Sequence, residues 1–213
     1  PTAEQGGERA LKNVAMSYLA KLETPETESR VVDQYYGCDN MTDRMAAFSI
    51  VCDGKTGKTD EIVSDFYNRF KDQDLVVNKW LSTQARAGGL ETVKGLVEHP
   101  AFVITNPNKV RAVMRGFTSD APSFHAKDGS GYKFVADMVK KLDGLNPLVA
   151  ADTVKPLTRW QRFDPERQEL MKGALKQVLE KEGLSKNVYE IVSKSLGDKE
   201  TKKEKILENK AKM

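Results

Sequence analysis

The sequence predicts an all-α fold, a superhelical solenoid of antiparallel helix pairs. Three observations lead there. Apolar residues recur at three- and four-residue steps along almost all of the 213 residues. No stretch alternates apolar with polar residues as a half-buried strand does. Pro, Gly, Asn and Asp break the pattern at short intervals, and short connections make consecutive helices antiparallel neighbours. No fixed sequence period repeats, so no consensus repeat is recognisable.

The elements follow in order. Leu11, Val14, Ala15, Tyr18, Leu19 and Leu22 form the apolar stripe of a first helix. "PETESRVVDQYYG" is a second, with Thr24 as cap, Pro25 in its first turn and Gly37 at its close. "MTDRMAAFSIVC" is a third, begun near Asn40 or Thr42 and followed by Gly54. "KTDEIVSDFYNRF" and "DLVVNKWLSTQARA" come next, with Asp74 as cap of the latter and Gly88-Gly89 as its stop. "LETVKGLVEHPAF" is halted by Pro100. "NPNKVRAVMRGF" starts on Pro107, and "SGYKFVADMVKKLDG" ends at Gly144, with Asp128 or Ser130 as its cap. "NPLVAADTV" stops before Pro156. "DPERQELMKGALKQVLEKEG" is capped by Asp164, carries Leu170, Ala174, Leu175 and Val178 on its stripe, and closes at Gly183. "SKNVYEIVSKSL" is the last amphipathic segment. About ten helices result. Residues 1–196 read as one helical superhelix, and residues 197–213, almost all charge, as an extension that is helical or disordered.

Composition removes several function classes. Lys and Arg number 34 against 31 Asp and Glu, without the basic excess of a nucleic-acid binder. No apolar run approaches the roughly 18 residues of a membrane span, and the polar start "PTAEQGGERALKN" is no signal peptide. It begins at Pro1 rather than Met, as a piece of a longer polypeptide does. Cys38 and Cys52 make no disulfide framework, which fits a reducing compartment, the cytoplasm.

The search for chemistry is brief. There is no C-x-x-C and no H-E-x-x-H; His99 and His125 are separated by a helix, and the two cysteines read as core thiols. "DGSGY" (Asp128–Tyr132) lacks the lysine and spacing of a P-loop, and its glycines read as a tight helix start. Arg111 and Arg115 share one helix face, the usual place for solvated or ion-paired charge. "TRWQRF" (Thr158–Phe163) reads as a packing corner, with Trp160 and Phe163 inward and the arginine stems over them. From residues alone the chain is an interaction or support domain without an active site of its own.

Seven segments in order, "RALKNVAMSYLA", "DNMTDRMAA", "DLVVNKWLSTQA", "HPAFVITNPNKVRAV", "FHAKDGSGYKFVAD", "LNPLVAADTVKPLTRW" and "LSKNVYEIVSKSL", together resemble the C-terminal end of bacterial-type alanyl aminopeptidases, gluzincin zinc metallopeptidases. The resemblance runs from Ala10 to Leu196. It implies an armadillo- or HEAT-like superhelix that encloses an active site, forms the channel for peptide substrates and contributes to the specificity pocket. The catalytic domain of the same polypeptide would be the partner and would hold the zinc. This chain would carry no cofactor, metal ligand or catalytic residue, and would not be catalytic alone. Partners would be that domain and peptides, with no nucleic acid or membrane.

Carried over position by position, the resemblance points to Arg111, Leu148, Val149 and Asp152 as channel- or pocket-lining residues. Leu148 stands where similar members have Gln, which makes that wall more apolar. Asp152 stands where they have Arg, which removes an inward positive charge. A different function class remains beside this one: a free-standing helical-repeat scaffold that binds a protein or peptide.

Overall fold

The protein is described by a computed structural model over residues 2–54 and 56–197. These residues form twelve α-helices, two short 3-10 stretches and no strand. The helices are α1 (Ala3–Leu19), α2 (Pro25–Gly37), α3 (Met41–Cys52), α4 (Thr59–Phe70), α5 (Asp74–Ala87), α6 (Gly89–Glu98), α7 (Pro107–Ser119), α8 (Ala121–Phe124), α9 (Ser130–Asp143), α10 (Pro147–Val154), α11 (Pro165–Leu179) and α12 (Lys186–Leu196). The charged segment after Gly197 lies outside the described residues.

Local chemistry sets most boundaries. Thr24, Asn40, Asn106, Asn146, Asp164 and Ser185 each accept a first-turn backbone N–H, and Pro25, Pro107, Pro147 and Pro165 sit just inside their helices. Four expectations need correction. Gln73, not Asp74, occupies the cap position of α5, and Asp74 is the first helical residue. Gly88 stops α5, but Gly89, with φ of 74°, opens α6. α9 is entered through Gly129 at φ of 70°, while the Asp128 carboxylate accepts from the Ser130 N–H and hydroxyl. α11 ends at Leu179, before Gly183 is reached.

The helices form two layers. α1, α3, α5, α7, α10 and α12 each touch the next, and α2, α4, α6, α8, α9 and α11 pack behind them. Between the layers runs one apolar core, from Val31, Phe48 and Phe66 through Leu81, Val113 and Phe117 to Leu157, Leu175 and Val192. α5 and α7 come closest at Gly116, where an added Cβ would stand 2.7 Å from the Ser82 carbonyl oxygen. The "DGSG" turn meets a similar limit: a Cβ on Gly131 would lie 2.6 Å from the Phe124 carbonyl oxygen. Beside it, His125 Nδ1 lies 2.8 Å from the Tyr132 hydroxyl, and the imidazole sits 4.2 Å from the Phe163 ring. Burial, with Arg167 nearby, lowers the His125 pKa. This glycine-rich segment is therefore a packed corner.

Buried polar networks lock the two ends. The Asp143 carboxylate, 1% exposed, accepts from the Ser185 N–H at 3.0 Å, from the Ser185 hydroxyl and from Lys181 Nζ at 3.2 Å, tying α9 to the start of α12. At the other end Lys12 and Asn13 of α1 donate to Asp43 of α3 at 2.5 and 2.9 Å. α1 is thus turned over relative to a usual surface helix. Its polar side meets the body, while Leu11 (73% exposed), Val14, Tyr18 (74%), Leu19 and Leu22 face outward. In its layer α1 touches α3.

Candidate functional site

The groups singled out by the sequence gather on the layer made by α5, α7 and α10. Residues four apart on a helix share a face. Arg111 and Arg115 on α7 form one such pair, Leu148 and Asp152 on α10 a second, and Ser82 and Arg86 on α5 a third. Between α5 and α7 lies an open groove of about 420 Å3. Its floor is small and uncharged: Ser82, Thr83, Ala112 and Gly116. Its edges carry Arg86, Arg111 and Arg115.

Asp152 ties α10 to α7. Its carboxylate accepts from Arg115 Nη2 at 2.6 Å and from Lys155 Nζ at 3.1 Å, and lies 3.6 Å from Arg111 Nε. The Arg115 bond does most to hold its pKa below the ordinary carboxylate value, against the opposing effect of burial and with help from Lys155. Asp152 therefore does not present a free negative charge, because three cations surround it. Arg86 donates from Nη2 to the Ser49 hydroxyl at 3.1 Å, which extends the polar row back to α3.

Of the four residues carried over, Arg111 and Asp152 come together and Leu148 shares the face of Asp152, 69% exposed. Val149 lies behind them: it is 2% exposed and packs in the core. The reason is helical geometry, since at 3.6 residues per turn adjacent side chains point about 100° apart. With Leu148 outward and Asp152 beside it, Val149 faces the body. Arg86 and Lys155 were missed. Lys155 pairs with Asp152 at an i,i+3 spacing that the sequence displays, whereas the place of Arg86 becomes meaningful only once α5 and α7 lie side by side.

The other groups singled out by the sequence pack into the fold among the described residues. His99 belongs to an aromatic group, 4.9 Å from Tyr67 and 5.1 Å from Trp80; its Nδ1 accepts from the Ala101 N–H, and burial lowers its pKa. Among the described residues no three His, Cys, Asp or Glu side chains gather as a metal ion requires. The two histidines sit in separate ring clusters without a carboxylate or thiol at hand, so these residues do not fit a zinc ion. Trp160 donates to the Ser195 carbonyl and hydroxyl oxygens, and Lys172 lies over its ring at 5.3 Å, as expected of a packing corner. Among the described residues no helix is long and apolar enough to cross a membrane.

About nine-tenths of the chain has relatives. Residues 1–197 match the family described as a domain of unknown function (DUF3458_C), ARM repeats. Aminopeptidase N of Escherichia coli (strain K12) is 37% identical over 197 residues, covering 91% of this chain and 23% of the relative. Aminopeptidase N of Caulobacter vibrioides is 36% identical over 200 residues, covering 92% and 23%. Among solved structures, Legionella pneumophila aminopeptidase A in complex with aspartic acid superposes with a TM-score of 0.86 at 34% identity, covering 91% of this chain and 23% of that one. The chain thus spans 23% of the length of these relatives.

Proposed function

The chain belongs to the DUF3458_C family of ARM-repeat domains and is homologous to the C-terminal part of aminopeptidase N, and from that premise we propose that it is the helical wall of a zinc aminopeptidase that removes N-terminal residues from peptides. In this reading the zinc and the catalytic groups belong to another domain of the same polypeptide. The present chain encloses the site, borders the peptide channel and shapes the pocket for the first side chain. The observation that carries the reading is the homology itself, which runs over nine-tenths of the chain at 37% identity. The α1 stripe supports it, since an outward apolar face suits the next part of a longer helical array. Two free cysteines are in keeping with action in the cytoplasm.

Within this function Arg111, Leu148 and Asp152 border the cavity, and Val149 supports them from the core. Leu148 offers apolar surface to a substrate side chain. One methylene's worth of apolar contact changes specificity by roughly 10–200-fold. In the polypeptide that contains both domains, Leu148→Gln is therefore expected to lower the kcat/KM ratio of leucyl over arginyl substrates by about tenfold, the low end of that range because the side chain is mostly exposed. An unchanged ratio would mean that Leu148 does not meet the substrate.

A further inference from the structure

We propose that the groove between α5 and α7 is a carboxylate-binding site, formed by Arg86, Arg111 and Arg115. The proposal rests on the reading above for its ligand, a peptide, and extends it by naming the part of the peptide that is held.

Charge is the first argument. Arg86, Arg111, Arg115 and Lys155 stand against one carboxylate, Asp152. Residues 1–197 as a whole carry 28 Lys and Arg against 27 Asp and Glu, so this excess of three is local, and a concave surface focuses such a field.

Donor geometry is the second. Each guanidinium carries five N–H donors in a planar fork that matches a carboxylate. Arg115 donates to Asp152 through Nη2, and Arg111 approaches the same carboxylate only through Nε, at 3.6 Å. Arg86 is held by one bond to Ser49 and, among the described residues, has no ion-pair partner. Donors therefore remain on all three arginines. Asp152 is itself an example of what this arrangement holds: a carboxylate clamped by two arginines of α7 and a lysine.

The floor is the third. Gly116 lets α5 and α7 approach until their backbones touch, and with Ala112, Ser82 and Thr83 it leaves room between the arginines. Among the described residues no acidic side chain lines the groove. A carboxylate entering there meets three guanidinium groups, and the one like charge beside them, Asp152, is already paired with Arg115 and Lys155. A peptide offers that group from two sources, its C-terminus or an acidic side chain.

The test is a titration of the 15N-labelled chain followed through its arginine Nε–H signals. Four probes are compared: trialanine free acid, trialanine amide, Ala-Glu-Ala amide and inorganic phosphate. A carboxylate site predicts saturable shifts of Arg86 and Arg111 with the free acid, with the glutamyl peptide, or with both, and none with trialanine amide. The peptide that binds identifies the source. Arg86→Gln should weaken binding about tenfold. Asp152→Asn should tighten it several-fold, because Arg115 is released and a like charge removed. Asp152→Asn distinguishes the site from mere disruption, which would only weaken binding. Equal binding of the amide, tighter binding of phosphate than of either carboxylate peptide, or weaker binding in Asp152→Asn would overturn the proposal. Failure of the aminopeptidase reading would appear elsewhere, as no turnover by the longer polypeptide, and would leave these shifts unchanged.

Discussion

Asp143→Ala is expected to destabilise the chain by about 3 kcal/mol, the scale for removing one partner from a buried charged network. The carboxylate is almost fully enclosed and serves the Ser185 N–H, the Ser185 hydroxyl and Lys181 at once. Alanine leaves the first turn of α12 without its anchor on α9, while Lys181, 22% exposed, can turn to water. For a domain of this size the loss corresponds to a fall in Tm of about 6–12 °C, readable by circular dichroism. Acid should have a related effect. Burial alone would raise the Asp143 pKa, but the Ser185 and Lys181 bonds outweigh it and hold the group below its ordinary value. A carboxyl with a depressed folded pKa contributes stability that is complete above the unfolded pKa and lost as pH falls through the folded one. Stability should therefore drop below about pH 4, and Asp143→Asn should flatten that slope. A Tm for Asp143→Ala within a degree or so of the parent would mean the network carries no net stability.

The second large effect is expected at Gly116. Alanine normally favours a helix interior over glycine by about 1 kcal/mol. At Gly173 of α11 nothing lies within 4 Å of an added Cβ, and Gly173→Ala should show that gain. At Gly116 the same Cβ would stand 2.7 Å from the Ser82 carbonyl oxygen and 2.9 Å from the Ala85 Cβ. The obstacle is mainly backbone, which cannot rotate away, and overpacking of this kind costs about 1–3 kcal/mol. The clash outweighs the propensity, so Gly116→Ala should destabilise by about 1 kcal/mol net. The two alanines should thus shift the urea midpoint in opposite directions. Equal shifts would show that α5 and α7 are not in backbone contact.

The fold was legible where its determinants are local. Asn106-Pro107, Asn146-Pro147 and Asp164-Pro165 combine a cap with a preset first-turn φ, and α7, α10 and α11 begin there. The all-α class followed from the 3.6-residue period, and the family from seven ordered segments. What the sequence left hidden is tertiary. Hidden at the Leu11–Leu22 stripe was the contact behind it, where Lys12 and Asn13 meet Asp43. α8 is too short to show a period. Asp143 looked like one charge near a helix end until Ser185, 42 positions on, was folded against it. At the site, Arg111, Leu148 and Asp152 were reachable through resemblance, whereas Arg86 required the α5–α7 contact. The Asp152 carboxylate is compensated by Lys155, three residues on in the same segment, and by Arg115, which only the packing of α10 on α7 brings to it.

We propose above that this chain walls an active site whose metal and catalyst lie on another domain of the same polypeptide. The most direct test measures zinc content after dialysis, together with hydrolysis of an alanyl anilide, for the 213-residue chain and for the polypeptide that contains the second domain. The account predicts neither zinc nor turnover for the chain, and one zinc with turnover for the longer polypeptide. One tightly held zinc and alanyl hydrolysis by the 213-residue chain itself would contradict it, as would a longer polypeptide without either.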